Sequence, residues 1–138
     1  MRLEQYTQPF VSPFYKAYLE DSASLSSFFH YEWNQEDLNK RLQETDYSKH
    51  KRVELAGVIT SYMDQFGISE KSRKHIEELK DNGVVVIGGQ QAGILTGPMY
   101  SIHKAISVIV LAKRQREIQG IPVIPVFWIA GEDHDIDE

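Results

Sequence analysis

The sequence has no cysteine. Disulfide bonds, thiolate metal ligands and a thiol nucleophile are therefore excluded. The sequence also lacks a long apolar run, because its longest nearly apolar stretch, residues 105–112, falls far short of the roughly 20 residues that span a bilayer. Residues 1–8 are too polar to form the apolar core of a signal peptide. We therefore predict a protein of the cytoplasm that has no membrane partner.

An excess of positive charge is missing as well. The chain has 15 Lys and Arg residues against 20 Asp and Glu residues, a formal net charge of -5, which argues against a nucleic-acid partner. Five of the acids lie within residues 132–138, and the rest of the chain holds 15 residues of each sign. With 138 residues, of which 41% are hydrophobic, the chain has the size and composition of one globular domain.

Residues 1–83 show the patterns of helices and loops, and we assign them to a helical N-terminal region that packs on a core. Apolar residues at helical spacing predict an amphipathic helix over residues 49–66, which Gly67 ends. Its apolar face comprises Leu55, Val58, Ile59, Tyr62, Met63 and Phe66. Ser69 is a favoured N-cap for a shorter helix that ends before Gly83.

The character of the sequence changes at residue 84. Residues 84–87 are a β-branched run that predicts a strand buried on both faces, and residues 88–93 predict a glycine-rich turn. A long helix follows, with Gly97 as its N-cap and Pro98 as its first residue, and Gly120 ends it. The apolar positions along this helix are Ile102, Ala105, Ile106, Ile109 and Ala112.

A second buried strand ends at Ala130, and Pro125 is expected at its beginning because proline cannot donate to a strand ladder. Strand, helix and strand form a right-handed βαβ unit with parallel strands, so we assign residues 84–138 to an α/β core. Two strands buried on both faces do not make a stable sheet by themselves. We therefore expect the chain to be the front part of a larger α/β protein.

Ligands of open α/β sheets bind beyond the carboxyl ends of the strands, where this chain has a glycine-rich loop. The loop matches neither the dinucleotide fingerprint nor the P-loop, but its small residues and the following helix N-terminus suit an anion. The candidate binding residues are Gly89, Gln90, Gln91, Gly93, Thr96, Gly97 and Pro98. The glycines alone favour a different interpretation, a tight strand-to-helix turn that needs positive φ.

Three side chains of the long helix lie near the same edge. Lys104 is a candidate point charge for a phosphate, and His103 is a candidate donor or acid. Tyr100 is a candidate for the pocket wall. Each residue also has an ordinary explanation, as a solvated lysine, a satisfied histidine and a packed aromatic ring.

An acidic segment with one histidine follows the second strand, at the edge where the glycine loop also emerges. A carboxylate beside an imidazole can orient the imidazole and raise its basicity, so Asp133 and His134 are catalytic candidates, with Glu132 and Asp135 as binding candidates. A solvated acidic turn is the competing interpretation. The spacing fits no metal motif, and we predict no metal.

Two blocks of the sequence strongly resemble one family. They are GGQQAGILTGPMYSIHK at residues 88–104 and PVFWIAGEDHD at residues 125–135. Both blocks are similar to those of the cysteine-adding enzymes of bacillithiol biosynthesis, the BshC family, and the resemblance extends over essentially the whole chain. It implies a cytoplasmic bacterial ligase that joins L-cysteine to glucosaminyl-malate through an amide bond. It also implies a Rossmann-like core similar in plan to class I aminoacyl-tRNA synthetases, with a C-terminal coiled coil that forms a homodimer.

The resemblance also places the site. It implies that residues 88–100 line the core pocket, that residues 96–98 and His103 lie where the synthetases have their nucleotide motif, and that Asp133 and His134 flank the pocket. We expect ATP or ADP as the nucleotide, and we expect the 138 residues alone to be inactive. Two other hypotheses stay open: a nucleotide- or phosphate-binding module without catalysis, and a truncated product without activity.

Overall fold

The structure is a computed structural model that describes residues 12–20, 22–32, 34–46, 51–93 and 97–131. The chain separates into two compact units, Met1–Lys49 and His50–Glu138. The second unit holds the βαβ motif together with the two helices that precede it. The division into domains at residue 83 that the sequence suggested stays a prediction.

The first unit contains two α-helices, α1 (Pro13–Glu20) and α2 (Gln35–Glu44), and a 3-10 helix at Ser22–Leu25. Aromatic rings hold the first part of this unit together, with the rings of Phe14 and Phe29 6.3 Å apart and those of Tyr18 and Phe29 5.2 Å apart. Helix α2 begins at Asn34, whose side chain accepts a hydrogen bond from the Asp37 amide. An N-cap side chain that accepts a hydrogen bond from an amide of the first helical turn stabilises the start of a helix.

Two helices open the second unit, α3 (Arg52–Asp64) and α4 (Glu70–Asp81). The Ser69 hydroxyl accepts from the Ser72 amide at 3.1 Å, which confirms Ser69 as the N-cap of α4. Gly67 has a φ of 82°, so the turn after α3 uses a conformation that glycine adopts without strain.

The predicted apolar face of α3 is wrong in most of its positions. Four of its large side chains, Leu55, Val58, Tyr62 and Phe66, are more than half exposed. The buried residue is Ala56, with no exposed surface, because α3 packs against α4 through this small side chain, where helix backbones can approach closely. Helix α3 is apolar on several sides, so spacing alone did not show which side meets the neighbouring helix.

The sheet consists of two parallel strands, β1 (Val84–Gln91) and β2 (Val123–Ala130), joined by helix α5 (Met99–Gln119). This arrangement confirms the predicted βαβ unit. Strand β1 is longer than predicted, since residues 88–91 belong to the strand and not to a turn. They pair with residues 127–130 of β2, so the partner strand extends β1 through its two glycines.

Pro125 is the third residue of β2 and does not begin the strand, contrary to the prediction. The Pro122 carbonyl accepts a hydrogen bond from the Val84 amide of β1, and the Ala130 carbonyl accepts one from the Ala92 amide, directly after β1. Alternate residues of a strand point their backbone groups to the same side, so residue 125, an odd position, points away from β1. The missing N–H of Pro125 therefore costs no hydrogen bond with β1.

The two strands are buried on one face only, which corrects the prediction of burial on both faces. Helix α5 packs on the face of β1 that carries Gly88, where an added Cβ would lie 2.6 Å from Val108 Cγ2. On the other face Val85, Ile87 and Trp128 are exposed by 47%, 65% and 58%. No described segment of the second unit covers these three side chains.

The stripe of α5 that meets the sheet consists of Ser101, Val108 and Ala112, which are all buried. Three of the apolar positions named from the sequence, Ile102, Ile106 and Ile109, are exposed by 42% to 52%, whereas Ala112 is buried. The apolar residues of α5 lie on several sides of the helix, and the close approach of Gly88 to Val108 fixes the side that meets the sheet.

Two polar contacts join the helices of the second unit to one another. Arg52 Nη1 donates to the carbonyls of Leu79 and Gly83 at 3.1 and 2.6 Å, so α3 supplies a charged donor to the C-terminus of α4. Arg116 of α5 forms a part-buried ion pair with Glu78 of α4. Within the described residues, no helix is both long and apolar enough to cross a membrane.

Candidate functional site

The carboxyl end of β1 and the first two turns of α5 bring three predicted site residues together. Lys104 Nζ donates to Gln90 Oε1 at 2.6 Å, and Gln90 Nε2 donates to the Tyr100 hydroxyl at 3.3 Å. Lys104 Nζ also lies 5.0 Å from the centroid of the Tyr100 ring, within the range of a cation–π interaction. We call Gln90, Tyr100 and Lys104 the polar triplet.

The polar triplet has a defined direction of donation. An ammonium group has donors only, so the Gln90 carbonyl oxygen must face Lys104 and the Gln90 NH₂ group must face Tyr100. The Tyr100 oxygen then accepts a hydrogen bond, and its own proton is left to donate outward. Because Tyr100 is half exposed, the triplet presents a hydroxyl donor and a positive charge to the solvent at the edge of the sheet.

Gly93 and Gly97 lie in close backbone contact beside the triplet. A Cβ on Gly93 would lie 2.8 Å from Gly97 Cα, and Gly97 has a φ of 71°. A residue larger than glycine would therefore strain the backbone at either position. The close approach of these two glycines and the positive φ of Gly97 agree with the alternative interpretation of the loop, in which the glycines serve the backbone.

Helix α5 begins one residue later than predicted. Pro98 is its N-cap and Met99 its first residue, where Gly97 and Pro98 had been expected, and no side chain caps the helix. The first amides of an α-helix have no carbonyl partner one turn earlier. The start of α5 therefore offers amides and the positive end of a helix dipole near Lys104, a combination that favours an anion.

The sequence did not single out Ser101, which lies in the first turn of α5. Its relative exposure is 7%, and its hydroxyl has no hydrogen-bond partner among the described residues. The hydroxyl lies 3.5 Å from where a Cβ of Gly97 would be. One sequence signal could have identified Ser101. It lies seven residues before Val108, and this spacing places both residues on the same side of a helix.

Other candidates lie apart from the triplet. Side chains alternate along a strand, so Gly89 and Gln91 belong to the face of β1 opposite Gln90. An added Cβ on Gly89 would meet the Trp128 carbonyl oxygen at 3.0 Å, so Gly89 serves strand packing. His103 is exposed beside Lys104, and it forms no hydrogen bond or ion pair with the described part of the chain.

Five predicted residues lie outside the described residues: Thr96, Glu132, Asp133, His134 and Asp135. The register pairs Gln91 with Ala130, so the chain after β2 leaves the sheet at the edge where the triplet lies. The proximity of the acidic segment to the site stays a prediction. Among the described residues there is no group of three His, Asp or Glu side chains that would hold a metal ion.

A cavity of about 260 Å³ lies elsewhere in the second unit, among α4, α5 and β2. Its lining includes Ser72, His75, Val108 and Phe127. Burial lowers the pKa of His75 below its ordinary value, and the positive charges of Arg116, Lys71 and Lys74 act in the same direction, while Glu78 opposes them. A neutral imidazole is thus favoured in this cavity.

The first unit has a wider cavity of about 660 Å³, with Phe29, His30 and Tyr31 in its lining. The Tyr31 hydroxyl donates to Glu44 Oε2 at 2.7 Å, and this hydrogen bond raises the pKa of Tyr31. None of the predicted site residues lies in this unit.

Fold and site together define a Rossmann-like α/β domain with a polar cluster that contains one lysine at the carboxyl edge of its parallel strands. Over residues 1–138 the chain matches the family described as "Bacillithiol biosynthesis BshC, N-terminal Rossmann-like domain". The chain belongs to this family, which confirms the resemblance and the Rossmann-like fold class.

Its curated relatives carry the name "Putative cysteine ligase BshC". The protein of Lysinibacillus sphaericus is 44% identical over 138 residues, which cover 100% of this chain and 26% of the relative. The protein of Bacillus velezensis is 49% identical over 120 residues, covering 86% of this chain and 22% of the relative. The chain therefore spans about a quarter of the length of the curated relatives it matches.

Proposed function

We propose that this chain forms the substrate-binding core of a cysteine-adding ligase of bacillithiol biosynthesis. In this reaction the carboxyl group of L-cysteine forms an amide with the amino group of glucosaminyl-malate, with net loss of water. The names of the relatives support the ligase class. The observation that carries the proposal is the Lys104–Gln90–Tyr100 triplet at the edge of the strands.

The triplet suits a reaction between charged substrates. Free cysteine has a carboxylate and glucosaminyl-malate carries two, so the site must hold negative charge near the amine that attacks. Lys104 supplies a fixed positive charge, and Tyr100 supplies an outward hydroxyl donor. Fixed donors of this kind stabilise charge that develops in the transition state without reorganising during the reaction.

Activation of a carboxylate needs a better leaving group than hydroxide, and we propose that ATP supplies it. The cysteine carboxylate attacks a phosphorus of ATP and forms an adenylate with release of pyrophosphate, or an acyl phosphate with release of ADP. The amine then displaces AMP or phosphate, which carries away the carboxylate oxygen in place of free water. The first turn of α5 and Lys104 would hold the phosphates of ATP, because both attract anions. His103, exposed next to Lys104, would act as an acid or donor there, and Asp133 and His134 would act from the segment after β2. We further propose that the whole protein is a cytoplasmic homodimer.

The test is product formation by the full-length protein. L-Cysteine and glucosaminyl-malate are incubated with the protein, with and without ATP, and the amide product is measured by mass spectrometry. We expect product only when all substrates are present, and we expect His103→Gln to lower its rate at least tenfold. His75→Gln, on another helix and away from the triplet, is the control and should keep the rate at pH 8.

Absence of product in every nucleotide condition would contradict the proposal. If the full-length protein binds ADP through Lys104 and still forms no product, the alternative of a nucleotide-binding module without catalysis is the better account. The helix start and its glycines favour that alternative, because they bind anions without any chemistry.

A further inference from the structure

Ser101 has a hydroxyl that the described part of the chain does not use. The residue is 7% exposed, and its Oγ is buried without a hydrogen-bond partner among residues 12–20, 22–32, 34–46, 51–93 and 97–131. A buried hydroxyl without a partner destabilises a protein, and alanine would fill the same place without that cost. Packing on the sheet therefore does not explain why a hydroxyl is present.

Ser101 also lies where an anion would bind. Side chains of a helix tilt toward its N-terminus, so the Ser101 hydroxyl faces the same end of α5 as the leading amides of Met99 and Tyr100. The hydroxyl lies 3.5 Å from the position that a Cβ of Gly97 would take. Serine hydroxyls at a helix start are ordinary donors to anionic oxygens.

We propose that Ser101 is a binding residue of this site and that its hydroxyl donates to an anionic oxygen, of a phosphate or a carboxylate, held by the start of α5. The inference rests on the proposed function, because it assigns an anionic ligand to the same site. Gly97 lies next to the hydroxyl in the free chain. A small backbone shift at Gly97 exposes the hydroxyl to the ligand, and glycine allows such a shift because it has no side chain.

The test is calorimetric titration of the full-length protein with two probes. Inorganic pyrophosphate represents the phosphates of a nucleotide, and malate represents the carboxylates of glucosaminyl-malate. We expect Ser101→Ala to raise the Kd of one probe about tenfold, which identifies the source of the anion. Ser107→Ala is the matched control, since Ser107 is an exposed serine of the same helix, and it should keep both Kd values.

A thermal melt separates binding from a structural role. Ser101→Ala should melt at the same temperature as the wild type or higher in the free state, and the stabilisation by the probe should shrink. Kd values within about twofold of the wild type for both probes would overturn the inference. A lower melting temperature with unchanged Kd values would overturn it as well.

Different experimental results would contradict this inference and the proposed function. If the protein forms the amide product and Ser101→Ala binds both probes normally, the inference is wrong and the proposed function stands. If no product forms but a probe binds through Ser101, the proposed function is wrong and the inference stands. A wild-type protein that forms no product and binds neither probe contradicts both.

Discussion

Lys104, on the second turn of α5, donates a hydrogen bond of 2.6 Å to the side chain of Gln90, near the end of β1. This bond joins the helix to the strand at the edge where ligands of α/β sheets bind. It also fixes the Gln90 amide so that its NH₂ group reaches the Tyr100 hydroxyl. The side chains that would meet a substrate are thus held by each other before it binds.

Gln90 should matter for substrate binding more than for stability. We expect Gln90→Leu to raise the KM of the anionic substrate about tenfold in the full-length protein, because Lys104 and Tyr100 lose their common partner. The free energy of unfolding should change by about 0.5 kcal/mol or less, since exposed hydrogen bonds add little. Steady-state kinetics and urea unfolding measure the two effects, and Gln115→Leu on the far part of α5 is the comparison variant. If the Gln90→Leu variant loses stability and keeps a normal KM, Gln90 has only a structural role.

Gly88 should be required for packing between α5 and the sheet. An added Cβ would lie 2.6 Å from Val108 Cγ2, so Gly88→Ala should cost about 1–3 kcal/mol in the free energy of unfolding. Gly57→Ala is the matched control, because Gly57 lies inside α3 with nothing within 4 Å of an added Cβ, and it should stabilise by about 0.5–1 kcal/mol. Urea unfolding tests both.

A second variant checks the cause of the Gly88 effect. The Val108→Ala change removes the atom that the new Cβ would meet, so the double variant should be more stable than the sum of the two single changes predicts. If the changes in the free energy of unfolding of the two single variants simply add up in the double variant, the cost of Gly88→Ala arises within the strand and not from its contact with α5.

Arg52 should stabilise the junction between α4 and β1. Its Nη1 donates to the carbonyls of Leu79 and Gly83 at 3.1 and 2.6 Å, and loss of a charged donor leaves both carbonyls short of a partner. We expect Arg52→Ala to lower the free energy of unfolding by about 1–3 kcal/mol. Lys51→Ala, at the exposed neighbouring position, should change it by about 0.5 kcal/mol or less. Equal effects of the two changes in urea unfolding would contradict this assignment.

His75 should make stability depend on pH. Burial lowers the pKa of His75 in the folded protein below its ordinary 6.5, so the unfolded chain binds the proton more readily. Stability from this group is therefore present above pH 6.5 and is lost as the pH falls from there toward the lowered pKa. Urea unfolding between pH 5 and pH 8 should show this slope, and His75→Gln should reduce it. An equal slope in the variant would assign it to other groups.

The βαβ unit was predictable because its signals are local. A β-branched run, a long helix that Gly120 ends with a φ of 67° and a second apolar run have few other interpretations. The faces of the helices were not predictable in the same way. Helix α3 and helix α5 carry apolar residues on several sides, and contacts such as Ala56 with α4 and Gly88 with Val108 decide which side is buried.

The candidate site was predictable in part. Ligands of open α/β sheets bind beyond the carboxyl ends of the strands, and the start of the helix that follows β1 lies at the same edge, so Gln90, Tyr100 and Lys104 could be expected there. Gln91 lies on the face of β1 opposite Gln90, because the strand continues through residue 91 and side chains alternate along it. Gly88 and Gly89 indicated a turn at this point, so the sequence did not show where the strand ends. Ser101 was missed because its burial depends on the contact of α5 with the sheet and not on its residue type.

The central claim is that the edge formed by β1 and α5 binds the substrates of a cysteine ligase. The most direct measurement is kcat/KM of the full-length protein with Lys104→Met, beside Lys113→Met at an exposed position of the same helix. We predict a loss of at least tenfold for Lys104→Met, from the lost charge, and an unchanged value for Lys113→Met. Wild-type kcat/KM in Lys104→Met would contradict the claim.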